Sequence, residues 1–172
     1  RDKGYRNVMI EIANEYIHTG FDHRIILEDE GEVELMNIVH DISPSLLVST
    51  SDLGNVRFHP KLCEAADFIL LHGNSTNPGV YKDKVNELRK HGIPVVFNED
   101  WCFSDDPRGI NDAVQKATEA YNAGASWGIM NERRNQHWPF IFGIGKPEEG
   151  GNSKEDFIAY ETIASLIGIS KL

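Results

Sequence analysis

The chain has 172 residues, of which 40% are apolar and 26% charged, and this composition is typical of a globular domain with a buried core. The net charge of −10 argues against an extended surface for nucleic acid or for an anionic membrane, because both would be repelled. No apolar run approaches the roughly 20 residues of a membrane-spanning helix. The sequence therefore predicts no nucleic-acid partner and no membrane partner.

Short, nearly continuous apolar runs alternate with amphipathic segments along the chain, as expected of strands buried on both faces of a parallel sheet. The predicted strands are Asn7–Ala13, Leu46–Thr50, Phe68–Leu71, Pro94–Asn98 and Ser126–Met130. The predicted helices are Gly31–Asp41, Tyr81–His91, Asn111–Asn122 and Lys154–Ile167, with a shorter helical link at Pro60–Ala66. This alternation predicts parallel strands joined by right-handed crossovers.

Polar side chains follow most of the predicted strands. The first strand is not followed by the Gly-rich phosphate turn of a doubly wound fold. A ring of functional groups at strand ends instead favours a parallel (β/α)₈ TIM barrel. Because a full barrel takes eight strands and roughly 250 residues, we interpret residues 1–172 as its C-terminal five β/α units, strands four to eight. We then expect a missing N-terminal half-barrel or a second chain to be needed to close it, and the segment alone to be inactive.

Two of the strand ends carry an Asn-Glu pair. The first stretch reads "VMIEIANEY", with Asn14 and Glu15 after the strand, and the second reads "VVFNED", with Glu99 one residue past its strand. Retaining glycosidases use two carboxyl groups about 5–5.5 Å apart, one as acid/base and one as nucleophile. Two glutamates at the ends of nearby parallel strands can meet that geometry.

The stretch "VMIEIANE" resembles the fourth-strand motif of clan A glycoside hydrolases, most closely the family 5 cellulases and mannanases. The resemblance implies a retaining hydrolase of a poly- or oligosaccharide, with Glu15 as acid/base, Glu99 as nucleophile and no metal or organic cofactor. It also implies that Asn14 binds the sugar 2-hydroxyl, that His72 lies in the pocket and that Trp127 lies under the sugar. Asn74, which stands where the family has a Tyr, and Asn131 are further candidate substrate contacts.

Two alternatives stay open beside this one. His18, Asp22 and His23 in "HTGFDHR" form a loose set of metal-ligand residue types, which would suit a metal-assisted barrel hydrolase or lyase. The other alternative is a non-catalytic carbohydrate-binding barrel.

Glu11 lies within the first predicted strand and, by alternation, shares a face with Glu15. A buried carboxylate must be paired or protonated, so we expect a structural role for Glu11, with a basic partner from the missing half-barrel. Cys63 and Cys102 are compatible with two thiols or one disulfide.

Overall fold

The structure, a computed structural model, describes residues 7–101, 107–130 and 161–168. These residues contain four short parallel strands with helices between them. The strands are β1 (Met9–Glu11), β2 (Leu47–Ser49), β3 (Ile69–His72) and β4 (Val95–Glu99). The helices are α1 (Asp29–Ile42), α2 (Tyr81–Leu88) and α3 (Pro107–Asn122), and residues 161–166 are also helical. Two 3₁₀ turns cover Pro60–Glu64 and Arg89–His91.

The first four predicted strands are present. β1 and β2 are shorter than their apolar runs, whereas β3 and β4 have the predicted length and lie one residue later in the chain. The most apolar of them, β3, is buried at every residue. The helix expected over Tyr81–His91 ends as a 3₁₀ turn, after which Gly92 has a left-handed φ of 79°. Glycine takes that conformation without steric cost, so it stops the helix at the predicted place.

The predicted barrel is wrong. Among the described residues the strands form two separate two-stranded parallel sheets, β1 with β2 and β3 with β4, and no closed barrel of eight strands or of five barrel units is present. Single bridges join Ser51 to Leu70 and Val96 to Ser126, so the predicted strand Ser126–Met130 contributes isolated bridges only. Apolar periodicity identifies a strand, but it carries no information about how many strands pair or whether a sheet closes.

One apolar core lies between the sheets and the helices. Its largest fully buried side chains are aromatic or bulky aliphatic, and Tyr81 stacks on Phe97 with ring centroids 5.2 Å apart. None of the described helices is long and apolar enough to cross a membrane. Cys63 is a free thiol. Cys102, the loop predicted over Asn131–Asn152 and residues 154–160 of the last predicted helix lie outside the described residues.

A glutamate is buried in the first turn of α1. Glu32 is fully buried, and neither of its carboxylate oxygens has a hydrogen-bond partner among the described residues. Burial raises the pKa of Glu32 to about 7, because the charged carboxylate loses its hydration. The nearby Thr50 hydroxyl, whose own hydrogen bond goes to the Ala13 carbonyl, opposes this pKa shift only in part.

We expect Glu32→Gln to raise the melting temperature relative to wild type at pH 8 and to change it little at pH 5. The pKa of Glu32 is higher in the folded state than its ordinary value of 4.5, so the stability of the protonated form is complete below pH 4.5. That stability is lost as the pH rises through about 7, whereas an amide does not titrate. Thermal unfolding followed by circular dichroism at the two pH values measures the difference.

The matched control is Glu34→Gln, which changes an exposed glutamate of the same helix. It should leave the pH dependence of the melting temperature as in wild type. A melting-temperature difference for Glu32→Gln that is equal at pH 5 and pH 8 would contradict the expectation.

Candidate functional site

The carboxyl ends of the four strands meet at one place because the strands run parallel. Glu15 follows β1, Ser51 follows β2, His72 ends β3 and Glu99 ends β4. The pairing of β3 with β4 skips one residue, since Leu71 pairs with Phe97 and His72 pairs with Glu99. Such a bulge breaks the alternation of side chains and re-aims them. It turns both Asn98 and Glu99 toward this strand-end cluster.

The two predicted catalytic glutamates lie beside each other with His72 between them. His72 Nδ1 is 3.1 Å from Glu15 Oε1 and 3.7 Å from Glu99 Oε1. One oxygen of each carboxylate and one ring nitrogen lie within 4.8 Å of one another. The structure therefore brings together three predicted site residues that are far apart in the sequence. The side chains of Glu15 and Glu99 keep 21% and 20% of their surface exposed, so small molecules can reach them.

His72 is the buried centre of the cluster. Its side chain has no exposed surface, and Nε2 has no hydrogen-bond partner among the described residues. The nearest charged group on that side is Glu11, whose Oε1 is 3.9 Å from Nε2. The imidazole thus faces Glu15 and Glu99 with one nitrogen and Glu11 with the other.

Glu11 is held by partners within the described chain, which corrects the expectation of a basic partner from outside it. Ser51 Oγ donates to Glu11 Oε1 over 2.5 Å, and Asn98 Nδ2 donates to Glu11 Oε2 over 3.3 Å. Burial raises the pKa of Glu11 above its ordinary value, and the Ser51 hydrogen bond and the His72 charge oppose that shift. Glu11 is therefore part of the candidate site, behind His72.

Ser51, the residue after the predicted strand Leu46–Thr50, fixes the backbone of Glu15. The Glu15 N–H donates to Ser51 Oγ over 2.9 Å, and the Tyr16 N–H donates to the Ser51 carbonyl over 2.9 Å. These bonds hold Glu15 at a left-handed φ of 55°. For a residue with a long side chain this conformation costs about 1–2 kcal/mol. Backbone strain of this kind is typical of functional sites.

The structure gives the other predicted substrate contacts different positions. Asn74 Nδ2 donates to Glu99 Oε1 over 2.5 Å, and Asn74 Oδ1 accepts from the Trp101 N–H, so Asn74 orients the second glutamate. Asn14 is exposed in the turn beside Glu15. Asn131 lies outside the described residues. Trp127 is half-buried, and its Nε1 donates to Asp100 over 2.7 Å, which joins it to a separate network.

That network, centred on Asp100, anchors the end of β4 to the helices. Asp100 is buried and accepts from Tyr81 Oη over 2.7 Å, from Lys116 Nζ over 3.0 Å and from Trp127 Nε1. Burial raises the pKa of Asp100, and its ion pair with Lys116 is the largest opposing influence. An added Cβ at Gly73 would lie 2.4 Å from Asp100 Cγ, so the network also requires glycine there. The sequence pattern carries no signal for this structural role of Asp100, because its partners come from distant parts of the chain.

The site can perform two kinds of chemistry. Two close carboxylates can act as a proton donor and a nucleophile, and two carboxylates with an imidazole can coordinate a metal ion. In the described part of the chain, Glu15, His72 and Glu99 are the one group whose atoms converge closely enough for a metal. The residues of "HTGFDHR" do not converge in this way.

Neither a protein-family model nor a curated protein sequence matches this chain.

We expect Lys116→Met to lower the free energy of unfolding by about 3–5 kcal/mol, since it leaves the buried Asp100 charge without its cation. The double variant Asp100→Asn/Lys116→Met should lose less than the single variant because no buried charge remains. Urea denaturation of both variants measures the difference. Lys84→Met, which removes the cation of an exposed pair with Glu87, is the control and should cost less than about 1 kcal/mol. A double variant less stable than Lys116→Met would refute this account of the network.

Proposed function

We propose that the chain is a retaining glycoside hydrolase whose acid/base is Glu15 and whose nucleophile is Glu99. The observation that carries the proposal is the convergence of these two carboxylates, with one oxygen of each within 4.8 Å. This close approach of two oxygens favours the retaining arrangement, in which the carboxyl groups are about 5–5.5 Å apart, over the inverting one, which needs about 6.5–9.5 Å. The resemblance of "VMIEIANE" to a glycosidase motif supports the same assignment.

The proposed reaction has two steps. In the first, the Glu99 carboxylate attacks the anomeric carbon while Glu15 gives its proton to the leaving glycosidic oxygen, and a glycosyl ester of Glu99 forms. In the second, Glu15 takes a proton from water as the water oxygen attacks the anomeric carbon. The ester bond breaks, Glu99 regains its negative charge and Glu15 regains its proton.

The surrounding residues suit these roles. Asn74 fixes Glu99 by a hydrogen bond to Oε1, and the Ser51 hydroxyl fixes the backbone of Glu15. His72 lies against both carboxylates and limits how far either can rotate. Holding both groups in one geometry is what a two-step displacement at a single carbon requires. The substrate class is a poly- or oligosaccharide.

We expect Glu15→Ala and Glu99→Ala to lose activity in distinguishable ways. On oligosaccharides Glu15→Ala should lose about 10²–10⁴-fold in rate, the usual contribution of general acid–base catalysis. On aryl glycosides with good leaving groups it should lose less, because the leaving oxygen then needs no proton. Glu99→Ala should lose activity on both kinds of substrate, since the attacking group is gone.

Added azide separates the two roles by stereochemistry. With Glu15→Ala, azide should replace water in the second step and give a glycosyl azide of retained configuration. With Glu99→Ala, azide should attack directly and give the inverted configuration. Glu34→Gln is the control and should keep wild-type rates. Full activity of Glu99→Ala on an oligosaccharide that the wild type cleaves would rule the proposal out.

A further inference from the structure

Glu15, His72 and Glu99 have the spacing of metal ligands. In a tetrahedral zinc site with bonds of about 2.0–2.1 Å, neighbouring ligand atoms are about 3.3 Å apart. The distances from His72 Nδ1 to the oxygens of Glu15 and Glu99, 3.1 and 3.7 Å, lie on either side of that value. Small side-chain rotations would bring all three atoms to one ion.

The buried imidazole supplies an independent indication. His72 is fully buried, and within the described ranges its Nε2 has no hydrogen-bond partner, although Glu11 Oε1 is 3.9 Å away. A histidine that binds a metal through one nitrogen usually directs the N–H of the other to a carboxylate. With Nδ1 on a metal, the proton of His72 would be on Nε2, on the side of Glu11. The position of Glu11, fixed by Ser51 and Asn98, is that of an outer carboxylate.

The charges of the cluster also favour a cation. Glu11, Glu15 and Glu99 all lie within 4 Å of His72. In the part of the chain that the structure describes, that histidine is the basic residue with which they pair. A single imidazole carries at most one positive charge, so it cannot balance these three groups when all of them are ionised. Asn74 already holds the Glu99 carboxylate from outside, as outer residues do for ligating carboxylates. The exposed part of Glu15 and Glu99 leaves room for a water ligand.

We propose that Glu15, His72 and Glu99 bind a divalent transition-metal ion such as Zn²⁺, with Glu11 orienting His72. Imidazole and carboxylate ligands suit zinc and its neighbours better than Ca²⁺ or Mg²⁺, which prefer oxygen ligands alone. Metal binding does not depend on the proposed function. One consequence does rest on it: a metal on both catalytic carboxylates excludes the sugar, so Zn²⁺ inhibits hydrolysis competitively.

Binding is tested on the full chain after treatment with a chelator, by calorimetric titration with Zn²⁺ and by the visible absorption of bound Co²⁺. We expect one ion per chain at the tightest site. Glu15→Gln and Glu99→Gln should each weaken binding more than any change outside the ligands, because each removes a charged ligand oxygen. Glu11→Gln should weaken it about 10–100-fold, the usual effect of losing an outer partner. These isosteric changes should leave the fold unchanged, so that a loss of binding can be assigned to the ligand. His72→Gln is less suitable, because His72 is fully buried and its replacement could unfold the chain.

The control is His91→Gln, which removes an exposed imidazole in the 3₁₀ turn after α2 and should leave Zn²⁺ affinity unchanged. Unchanged Zn²⁺ affinity in the Glu15, Glu99 and Glu11 variants would mean adventitious surface binding and would overturn the site. No binding by the wild type would overturn it as well.

Activity assays separate this inference from the proposed function. If the wild type hydrolyses a glycoside, added Zn²⁺ should raise the apparent KM without changing kcat, and a chelator should restore the original KM. If the protein hydrolyses a glycoside but does not bind Zn²⁺ and is not inhibited by it, the metal site is wrong and the proposed glycosidase function stands. Binding of Zn²⁺ through the three ligands without hydrolysis of any glycoside would support the metal site and count against the glycosidase.

Discussion

The geometry of the candidate site depends on the hydroxyl and backbone of Ser51. The hydroxyl accepts the Glu15 N–H and donates to the Glu11 carboxylate, and the Ser51 carbonyl accepts the Tyr16 N–H. Ser51 also bridges to Leu70, two residues before His72. One residue after β2 thus ties the turn after β1 to the strand that carries the histidine. A buried polar network stabilises the fold only when its donors and acceptors are paired. Ser51 pairs with groups of both Glu11 and Glu15 and so fixes the positions of these two residues.

Glu99 and Asp100, adjacent acidic residues at the end of β4, differ in how far the protein encloses their carboxylates. Glu99 faces an amide, an imidazole and solvent, and it keeps part of its surface accessible. Asp100 is enclosed by Tyr81, Lys116 and Trp127, and it accepts a hydrogen bond from each. A buried carboxylate that accepts hydrogen bonds from three protein groups suits a structural role. A carboxylate such as that of Glu99, which is partly exposed and is held in place by neighbouring side chains, can react with a ligand.

Local patterns predicted the elements well and their assembly poorly. The apolar runs placed β1 to β4, and the Asn-Glu pairs with His72 identified the residues that converge. The closed barrel failed because strand pairing is set by contacts that a single-sequence pattern does not encode. The hydrogen bonds of Asn74 and Trp127 were not predictable for a related reason: the bulge at His72 and the helix residues Tyr81 and Lys116 shape their surroundings. Their contacts with a substrate stay predictions. Glu11, taken as structural, gained its importance only from its distance to His72.

The backbone of Glu15 has a consequence for how the sequence could change over time. At a φ of 55° a glycine would be free of steric cost, and an asparagine would tolerate the conformation better than a glutamate does. Random substitution without selection for activity would therefore tend to replace this residue, and the replacement would make the fold more stable. The turn after β1 therefore carries the Glu15 carboxylate at a cost in stability that a glycine at the same place would not have.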